Sequence, residues 1–232
     1  MRNSSAYSNS SNEAKIIPLD PDHIGIRVAL PLIAVAAFVA FAVLLPYVIS
    51  SADAGCLSLI LATFGALITM ALADFILKRV WKSGRQLELL PTGLRLYDKR
   101  KSQAVDTRIM WDGRVNVLAW RFTVKRGSAR VSKGWIMLGC QLTQDEAQMT
   151  LYTFMPPKDA NSDAYSGFVQ LMIRDVVAKG NLPLRELNTQ RQLLQAENER
   201  WQGGAEMSRE DFAALITALS AHQPNWAEGG RS

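Results

Sequence analysis

The chain contains 232 residues, of which 48% are hydrophobic, and carries a formal net charge of +5. Its two cysteines and two histidines exclude a disulfide framework and a cluster with metal-ligand spacing, so we expect no metal and no cofactor. The two long uncharged apolar runs both lie before residue 78, whereas the basic residues are densest just after it.

The first 22 residues are rich in serine and asparagine and contain few apolar side chains. Such a composition cannot bury enough apolar surface to offset the entropy that is lost when a chain becomes ordered. We therefore predict that residues 1–22 form a disordered tail.

Two long apolar runs follow, at Val28–Ile49 and Ala54–Ala73, and neither contains a charged residue. Because a helix rises about 1.5 Å per residue, either run is long enough to cross a hydrocarbon core of about 30 Å. Only residues 50–53 separate the runs, so the two helices are expected to form an antiparallel hairpin that satisfies every backbone polar group. The sequence predicts a transmembrane hairpin over residues 23–82.

Basic residues flank one end of both runs and predict the orientation of this hairpin. Asp53 is the charged residue at the tip, and the basic residues at the other end are Arg27, Lys78, Arg79, Lys82 and Arg85. Basic flanks stay in the cytoplasm, so we expect a multi-pass inner-membrane protein with both termini cytoplasmic. Asp74 lies one helical turn before Lys78 and can pair with it. The segment Ala52–Ala54 is similar to a signal-peptidase site, but the preceding run is too long for a usual signal sequence.

Between residues 86 and 155, short apolar segments alternate with turn signals. The predicted strands are QLELL, LRLYD, AVDTRIMW, RVNVLAWRFTV, WIMLGCQL and MTLYTFM. Asp112-Gly113 predicts a two-residue hairpin between the third and fourth segments. The fourth segment has one apolar face, which consists of Leu118, Trp120, Phe122 and Val124. This spacing favours a small antiparallel barrel or sandwich.

The period of the apolar residues changes after Pro156-Pro157. Helical spacing up to Gly180 predicts a helix that closes the strand domain of residues 86–180, with apolar positions at Tyr165, Phe168, Val169, Met172, Ile173 and Val176. Residues 181–232 form a predicted tail of two helices. Apolar stripes on these helices contain Leu187, Leu194 and Trp201, and then Phe212, Leu215, Ile216 and Leu219. The predicted fold class is α+β.

The layout of residues 24–178 resembles that of bacterial membrane proteins in which a two-helix hairpin precedes a pleckstrin-homology-like (PH-like) domain. The segment LELLPTGLRLY followed by RIMW is similar to the opening of such domains, where a Gly-Leu pair starts the second strand and a tryptophan lies near the third. The resemblance implies a strand-rich domain closed by a helix, and a role in binding or scaffolding rather than catalysis. The tail after Gly180 departs from the simplest members.

Residues 78–135 hold fifteen basic and four acidic residues. An anionic leaflet attracts such a segment by about 1 kcal/mol for each basic residue near its surface. Lipid contact is therefore one hypothesis for the juxtamembrane residues and two predicted turns, namely Lys78, Arg79, Lys82, Arg85, Lys99, Arg100, Lys101, Lys125 and Arg126. The alternative is that they are the basic flank of the spans together with solvated loops. No nucleic-acid-binding motif accompanies them, so we expect no nucleic acid partner.

No catalytic or phosphate-binding motif occurs in the sequence. We expect a non-enzymatic accessory or scaffold protein that binds a protein partner or a membrane complex. The apolar stripes of the tail are the predicted contact surface, through Leu194, Trp201, Phe212, Leu215, Ile216 and Leu219. Alternatively, these stripes pack on the chain's own domain. A sensor of anionic lipid headgroups that uses the basic turns is the second functional hypothesis, and a homo-oligomer is a further alternative.

Overall fold

The computed structural model of the chain describes residues 14–20, 24–48, 54–81, 83–100, 104–128, 130–172 and 183–227. The chain divides into two compact units. One unit is Asp20–Ser83, and the other combines Met1–Leu19 with Gly84–Ser232.

The unit Asp20–Ser83 consists of two helices, α1 (Ile24–Val48) and α2 (Ala54–Val80). By length and composition, both are long and apolar enough to cross a membrane, over Val28–Tyr47 and Leu57–Val80. The two predicted spans are therefore helical.

The packing of α1 against α2 involves small residues on α2. One buried row on α2 repeats at every fourth residue and consists of Ser58, Ala62 and Ala66, which is a spacing that allows two helices to approach closely. Gly65 faces the ring of Phe41, since a Cβ atom at this position would lie 2.8 Å from the ring Cε2. Near the end of α2, Lys78 Nζ lies 2.9 Å from Asp74 Oδ2, which confirms the predicted pair.

The other unit contains two sheets. Sheet A is antiparallel in the order β1-β2-β3-β4, with strands at Lys15–Pro18, Arg85–Leu90, Gly93–Asp98 and Val105–Met110. Sheet B has the order β8-β5-β6-β7-β9, with strands at Asn116–Thr123 (β5), Ile136–Gln144 (β6), Ala147–Met155 (β7), Val169–Gln170 (β8) and Ala205–Glu206 (β9). Strands β8 and β9 pair in parallel at its edges. The fold class is α+β, as predicted, but the sheets do not close into a barrel.

Helices follow the strands and pack on the sheets. They are α3 (Pro157–Ala160), α4 (Leu184–Gly203) and α5 (Arg209–His222). The main core joins both sheets and α5, and its most buried members include Leu87, Leu94, Ile109, Leu138, Leu142 and Leu151. A second cluster lies between sheet B and α4, where Trp120 is packed with Leu193 and Ala196. Leu118 and Phe122 pack on the same cluster, so these members of the apolar face predicted for this strand share one side.

Strand β1 corrects the prediction that residues 1–22 form a disordered tail. Lys15–Pro18 pairs antiparallel with β2, and the side chains of Ile17 and Leu19 are only 0% and 1% exposed. The segment before β1 is rich in serine, so the short alternation of apolar side chains in β1 is difficult to recognise in the sequence. The strand that pairs with β1 also lies far along the chain. Residues 1–13 lie outside the described part. Because β1 precedes α1 and β2 follows α2, both ends of the helical hairpin continue into one sheet.

The predicted hairpin at Asp112-Gly113 is wrong, because β4 and β5 belong to different sheets. The end of β4 is bonded instead to a side chain of β6. Met110 N donates to Gln144 Oε1 at 2.7 Å, and Gln144 Nε2 donates to Met110 O at 3.1 Å. The turn signal is therefore real, but it marks the crossing from sheet A to sheet B.

The predicted closing helix is not present in its described part, residues 161–172. This stretch forms a 3-10 turn at Asp163–Tyr165 and then strand β8. Tyr165 and Phe168 are buried with Phe212 of α5, with ring centroids 6.4 and 6.2 Å from its ring. The spacing of Tyr165 and Phe168 therefore allows both side chains to pack in the core without a helix. Residues 173–182 lie outside the described part of the chain.

Candidate functional site

The second apolar stripe of the predicted tail is part of the domain core. Its four residues lie on α5 and are between 0% and 3% exposed, namely Phe212, Leu215, Ile216 and Leu219. They pack in the cluster that joins both sheets. The prediction that they bind a partner is therefore wrong. An apolar helix stripe suits a core and an interface equally well, so the sequence pattern does not distinguish them.

Leu194 and Trp201 of the first stripe lie on α4. Leu194 is half-buried, whereas Trp201 is 81% exposed. The guanidinium of Arg200 lies 5.6 Å from the Trp201 ring. Of the predicted stripe, the buried face of α4 includes Leu187, and it continues through Leu193 and Ala196 rather than through Leu194 and Trp201. Trp201 therefore remains a surface residue of the domain.

Arg85, a predicted lipid contact, is a buried structural residue. Its side chain is 5% exposed, and its Nε lies 3.1 Å from Asp98 Oδ2. Its Nη2 and Nη1 donate to the carbonyl oxygens of Gly203 and Gly204 at 2.8 and 2.9 Å. These carbonyls lie at the C-terminal end of α4, where the helix dipole favours a cation. Arg85 therefore joins the start of β2 to the end of α4, and we name this arrangement the Arg85 cap.

Asp98 of the Arg85 cap also binds Arg100. Arg100 N donates to Asp98 Oδ1 at 2.9 Å, and Arg100 Nη2 donates to Asp98 Oδ2 at 3.1 Å. Burial alone would raise the pKa of Asp98, but the hydrogen bonds from Arg100 and the charge of Arg85 outweigh it and hold this pKa below its usual value. Asp98 is therefore a stable anion between two cations.

The other predicted lipid contacts lie at the surface where the structure describes them. The exposed ones are Lys78, Arg79, Lys99, Arg100, Lys125 and Arg126. Lys82 and Lys101 lie outside the described residues. Part of the basic excess of residues 78–135 is neutralised by ion pairs with carboxylates, which five described arginines of this segment form: Arg85, Arg95, Arg100, Arg108 and Arg130.

A groove of about 950 Å³ lies between α4, strands β5 and β6, and residues 223–226. Side-chain amides line much of it, and they include Asn116, Gln141, Gln148, Gln192, Gln195 and Gln223. Its charged lining residues are Arg114, Asp145 and Glu199. A smaller groove of about 460 Å³ adjoins it and shares Gln148 and Glu199. We name the larger one the amide groove.

Glu199 lies where the two grooves meet and accepts hydrogen bonds from neutral amides. Its Oε2 accepts from Gln141 Nε2 at 2.6 Å and also from Gln148 Nε2, and its Oε1 accepts from Gln195 Nε2 at 3.2 Å. Gln141 is 6% exposed and also donates to Thr150 Oγ1 at 3.3 Å. Within the described part of the chain, no lysine or arginine lies at ion-pair distance from the Glu199 carboxylate.

Polar contacts hold α4 in place beside the amide groove. Trp120 Nε1 of β5 donates to Glu197 Oε2 at 3.0 Å. Arg200 Nη2 donates to Glu197 Oε1 at 2.6 Å, and the Arg200 guanidinium lies 4.6 Å from the ring of Tyr152 on β7. Together with the Arg85 cap, these contacts fix the helix that forms one wall of the groove.

Neither a metal-ligand cluster nor an accessible thiol occurs among the described side chains. No group of three or more histidine, cysteine, aspartate or glutamate residues that could hold a metal ion occurs among them. Cys140 is fully buried in the core, and burial raises the pKa of its thiol to about 12. A thiol in this state is not a nucleophile at neutral pH.

None of the residues that line the amide groove is among the predicted site residues. One signal was present in the sequence, since Gln192, Gln195 and Glu199 follow one another at i, i+3 and i+7 and so share one face of a helix. A polar stripe of this kind is typical of a solvated face. Only the packing of α4 against sheet B turns it into the wall of a groove.

Comparison of the chain with protein-family models, with curated proteins and with solved structures finds no match. The functional conclusion therefore rests on the geometry of the domain.

Proposed function

We propose that this chain is a non-enzymatic, membrane-anchored scaffold protein whose globular domain binds a protein partner in the amide groove. The observation that carries the proposal is a groove of about 950 Å³ with amide walls and Glu199 at one end. Each side-chain amide offers both hydrogen-bond donors and an acceptor, so the groove can bind a polar ligand by many weak, directed contacts. The contacts that fix α4 keep one wall of this site preformed.

The membrane anchor in this proposal is the α1–α2 pair. Both helices have the length and composition of membrane spans. The pairing of β1 with β2 supports a topology in which both ends of the hairpin are on the same side of the membrane. The basic residues that flank those ends favour the cytoplasmic side of an inner membrane. The two packed sheets and the helices on them also support the PH-like identity, which is part of the proposal.

The test is site-specific photocrosslinking in cells that express the full chain. A photoreactive amino acid at Gln192, an exposed residue of the groove wall, should form an adduct with one protein. The same amino acid at Glu186, which is exposed on the first turn of α4 and does not line the groove, should not. Gln195→Trp, which fills the groove, should abolish the adduct. Equal labelling from both positions, or none from Gln192, would contradict the proposal.

A second candidate function, recognition of anionic lipid headgroups, is favoured by the arrangement at one end of sheet A. The chain leaves the sheet toward α1 and re-enters it from α2 at this end, where Leu19 N donates to Arg85 O at 3.2 Å. Lys99 N donates to Gly84 O at 3.0 Å, so the exposed Lys99 lies at the same end. Lys99 and Arg100 therefore lie close, within this unit, to the residue at which the chain arrives from α2.

Native mass spectrometry of the full chain, released from membranes that contain phosphatidylglycerol, tests the second candidate. Lys99→Glu should reduce the number of anionic lipids that stay bound, because it replaces an attractive charge by a repulsive one. Lys158→Glu, on the exposed surface of α3, is the matched control and should leave that number unchanged. Equal lipid retention by both variants would remove this function.

A further inference from the structure

We infer that the ligand of the amide groove is an extended segment of polypeptide that carries a lysine or arginine side chain, and that this cation binds Glu199. The inference rests on the proposed function, because it names the part of the partner that enters the groove. It is carried by a charge in the groove, by the length of the groove wall on α4 and by the amide lining.

The first observation is a carboxylate that makes no direct ion pair within the described part of the chain, that of Glu199. The other charged residues that line the amide groove, Arg114 and Asp145, have opposite charges. In the adjoining groove, Asp98 is paired with Arg85 and Arg100. Glu199 is bonded only to three neutral amides, which orient its carboxylate without neutralising it. A ligand ammonium or guanidinium would supply a charge-assisted hydrogen bond at this point, whereas an anionic ligand would be repelled.

The second observation is the length of the groove wall on α4. Residues from Gln192 to Glu199 line it over seven residue steps, which is about 10 Å at about 1.5 Å per residue. An extended chain covers this length in about three residues, at about 3.3 Å each. The wall therefore suits a short extended segment.

The third observation is the composition of the groove walls. The backbone of an extended peptide presents donors and acceptors in alternation, and the side-chain amides of Asn116, Gln192 and Gln223 can bind either kind of group. A sugar would match these amides as well, but sugar sites usually offer an exposed aromatic face. The aromatic lining residue here, Trp226, is only 9% exposed. The groove therefore favours a peptide over a sugar.

The test uses the full chain in detergent and pools of short synthetic peptides. The pools have the same randomised flanks and differ at one central residue, which is lysine, arginine, norleucine or glutamate. Norleucine keeps the aliphatic chain of lysine and removes the charge. The amount of each pool that the immobilised protein captures is measured by mass spectrometry.

We expect the lysine and arginine pools to be captured about tenfold or more above the norleucine pool, since a charge pair in a partly desolvated groove contributes at least this factor. Glu199→Gln should lower their capture to the norleucine level. Glu186→Gln, the same change outside the groove, should have no effect. Gln192→Trp, which fills the groove and leaves Glu199 in place, should abolish capture of every pool.

Equal capture of the lysine and norleucine pools, capture that survives Glu199→Gln, or no capture of any pool would overturn the inference. Competition by neutral oligosaccharides for the groove would overturn it in favour of a sugar ligand. These outcomes are distinguishable from failure of the proposed function. If Gln192 still forms its specific protein adduct while the charge of the peptide has no effect, the scaffold function stands and only the identity of the bound segment is wrong.

Discussion

Replacing Arg85 with methionine should strongly destabilise the globular domain. Methionine has a similar length and fits an apolar environment, but it lacks the guanidinium. The change leaves the buried carboxylate of Asp98 without one of its two cations. It also removes the charged donors from the carbonyl oxygens of Gly203 and Gly204 at the end of α4. The loss therefore affects both sheet A and the helix that walls the amide groove.

The magnitude follows from the burial of the pair. Removal of one partner of a buried ion pair costs about 3–5 kcal/mol in the free energy of unfolding. Asp98 keeps Arg100, whose side chain is 44% exposed, so we expect a value near the lower limit, about 3 kcal/mol. For a domain of this size, 1 kcal/mol corresponds to about 2–4 °C, so Tm should fall by about 6–12 °C.

Thermal unfolding of the full chain in detergent measures this effect through the fluorescence of the buried Trp111 and Trp120. Arg108→Met is the matched control, because Arg108 is 61% exposed and pairs with Asp106 at the surface. Such a pair contributes less than about 1 kcal/mol. A Tm of Arg85→Met within about 2 °C of the control would refute the structural role of the Arg85 cap.

Three other predictions follow from burial and charge. The pKa of Asp98 lies below its usual value, so the Asp98 carboxylate stabilises the fold above about pH 4, and this stabilisation is lost as the pH falls further. In acid unfolding followed by fluorescence, the free energy of unfolding should therefore decrease more steeply with falling pH for the wild type than for Asp98→Asn. Leu215→Ala, at 0% exposure, should lower the free energy of unfolding by about 2–5 kcal/mol in denaturant titrations, and Leu184→Ala, at 78% exposure, by less than about 0.5 kcal/mol. In a Cys56→Ser background, Cys140 should react with iodoacetamide at neutral pH only after unfolding, as followed by mass spectrometry; reaction in the folded protein would contradict its burial.

Local sequence patterns were sufficient for the two apolar helices and for the strands of residues 86–155. The uncharged runs at Val28–Ile49 and Ala54–Ala73 correspond to α1 and α2, because length and hydropathy alone distinguish such helices. The strands of residues 86–155 are found near their predicted positions, since alternation of side chains and turn residues are local properties. Helix α5 likewise begins at a local signal, since Asp211 N donates to the Oγ of the N-cap residue Ser208 at 3.1 Å.

Features that depend on distant partners could not be predicted in this way. Arg85 follows a predicted membrane span and matches the pattern of a basic flank, but its partners Gly203 and Gly204 lie more than a hundred residues later in the chain. The apolar stripe that contains Leu215 has the same sequence pattern whether it meets a partner or a sheet. The amide groove depends on the contact between α4 and sheet B, so residues such as Gln192 gain their role only from tertiary structure.

The pairing of β1 with β2 has a consequence for how this protein is made and handled. A chain that starts at Gly84 would lack β1 and the two core side chains Ile17 and Leu19, and it would leave the edge of β2 open to aggregation. During synthesis, the segment before α1 must wait until both helices have been made before it finds its partner strand. A water-soluble version of the domain should therefore omit Asp20–Ser83 and connect Leu19 to Gly84 by a short glycine-rich linker.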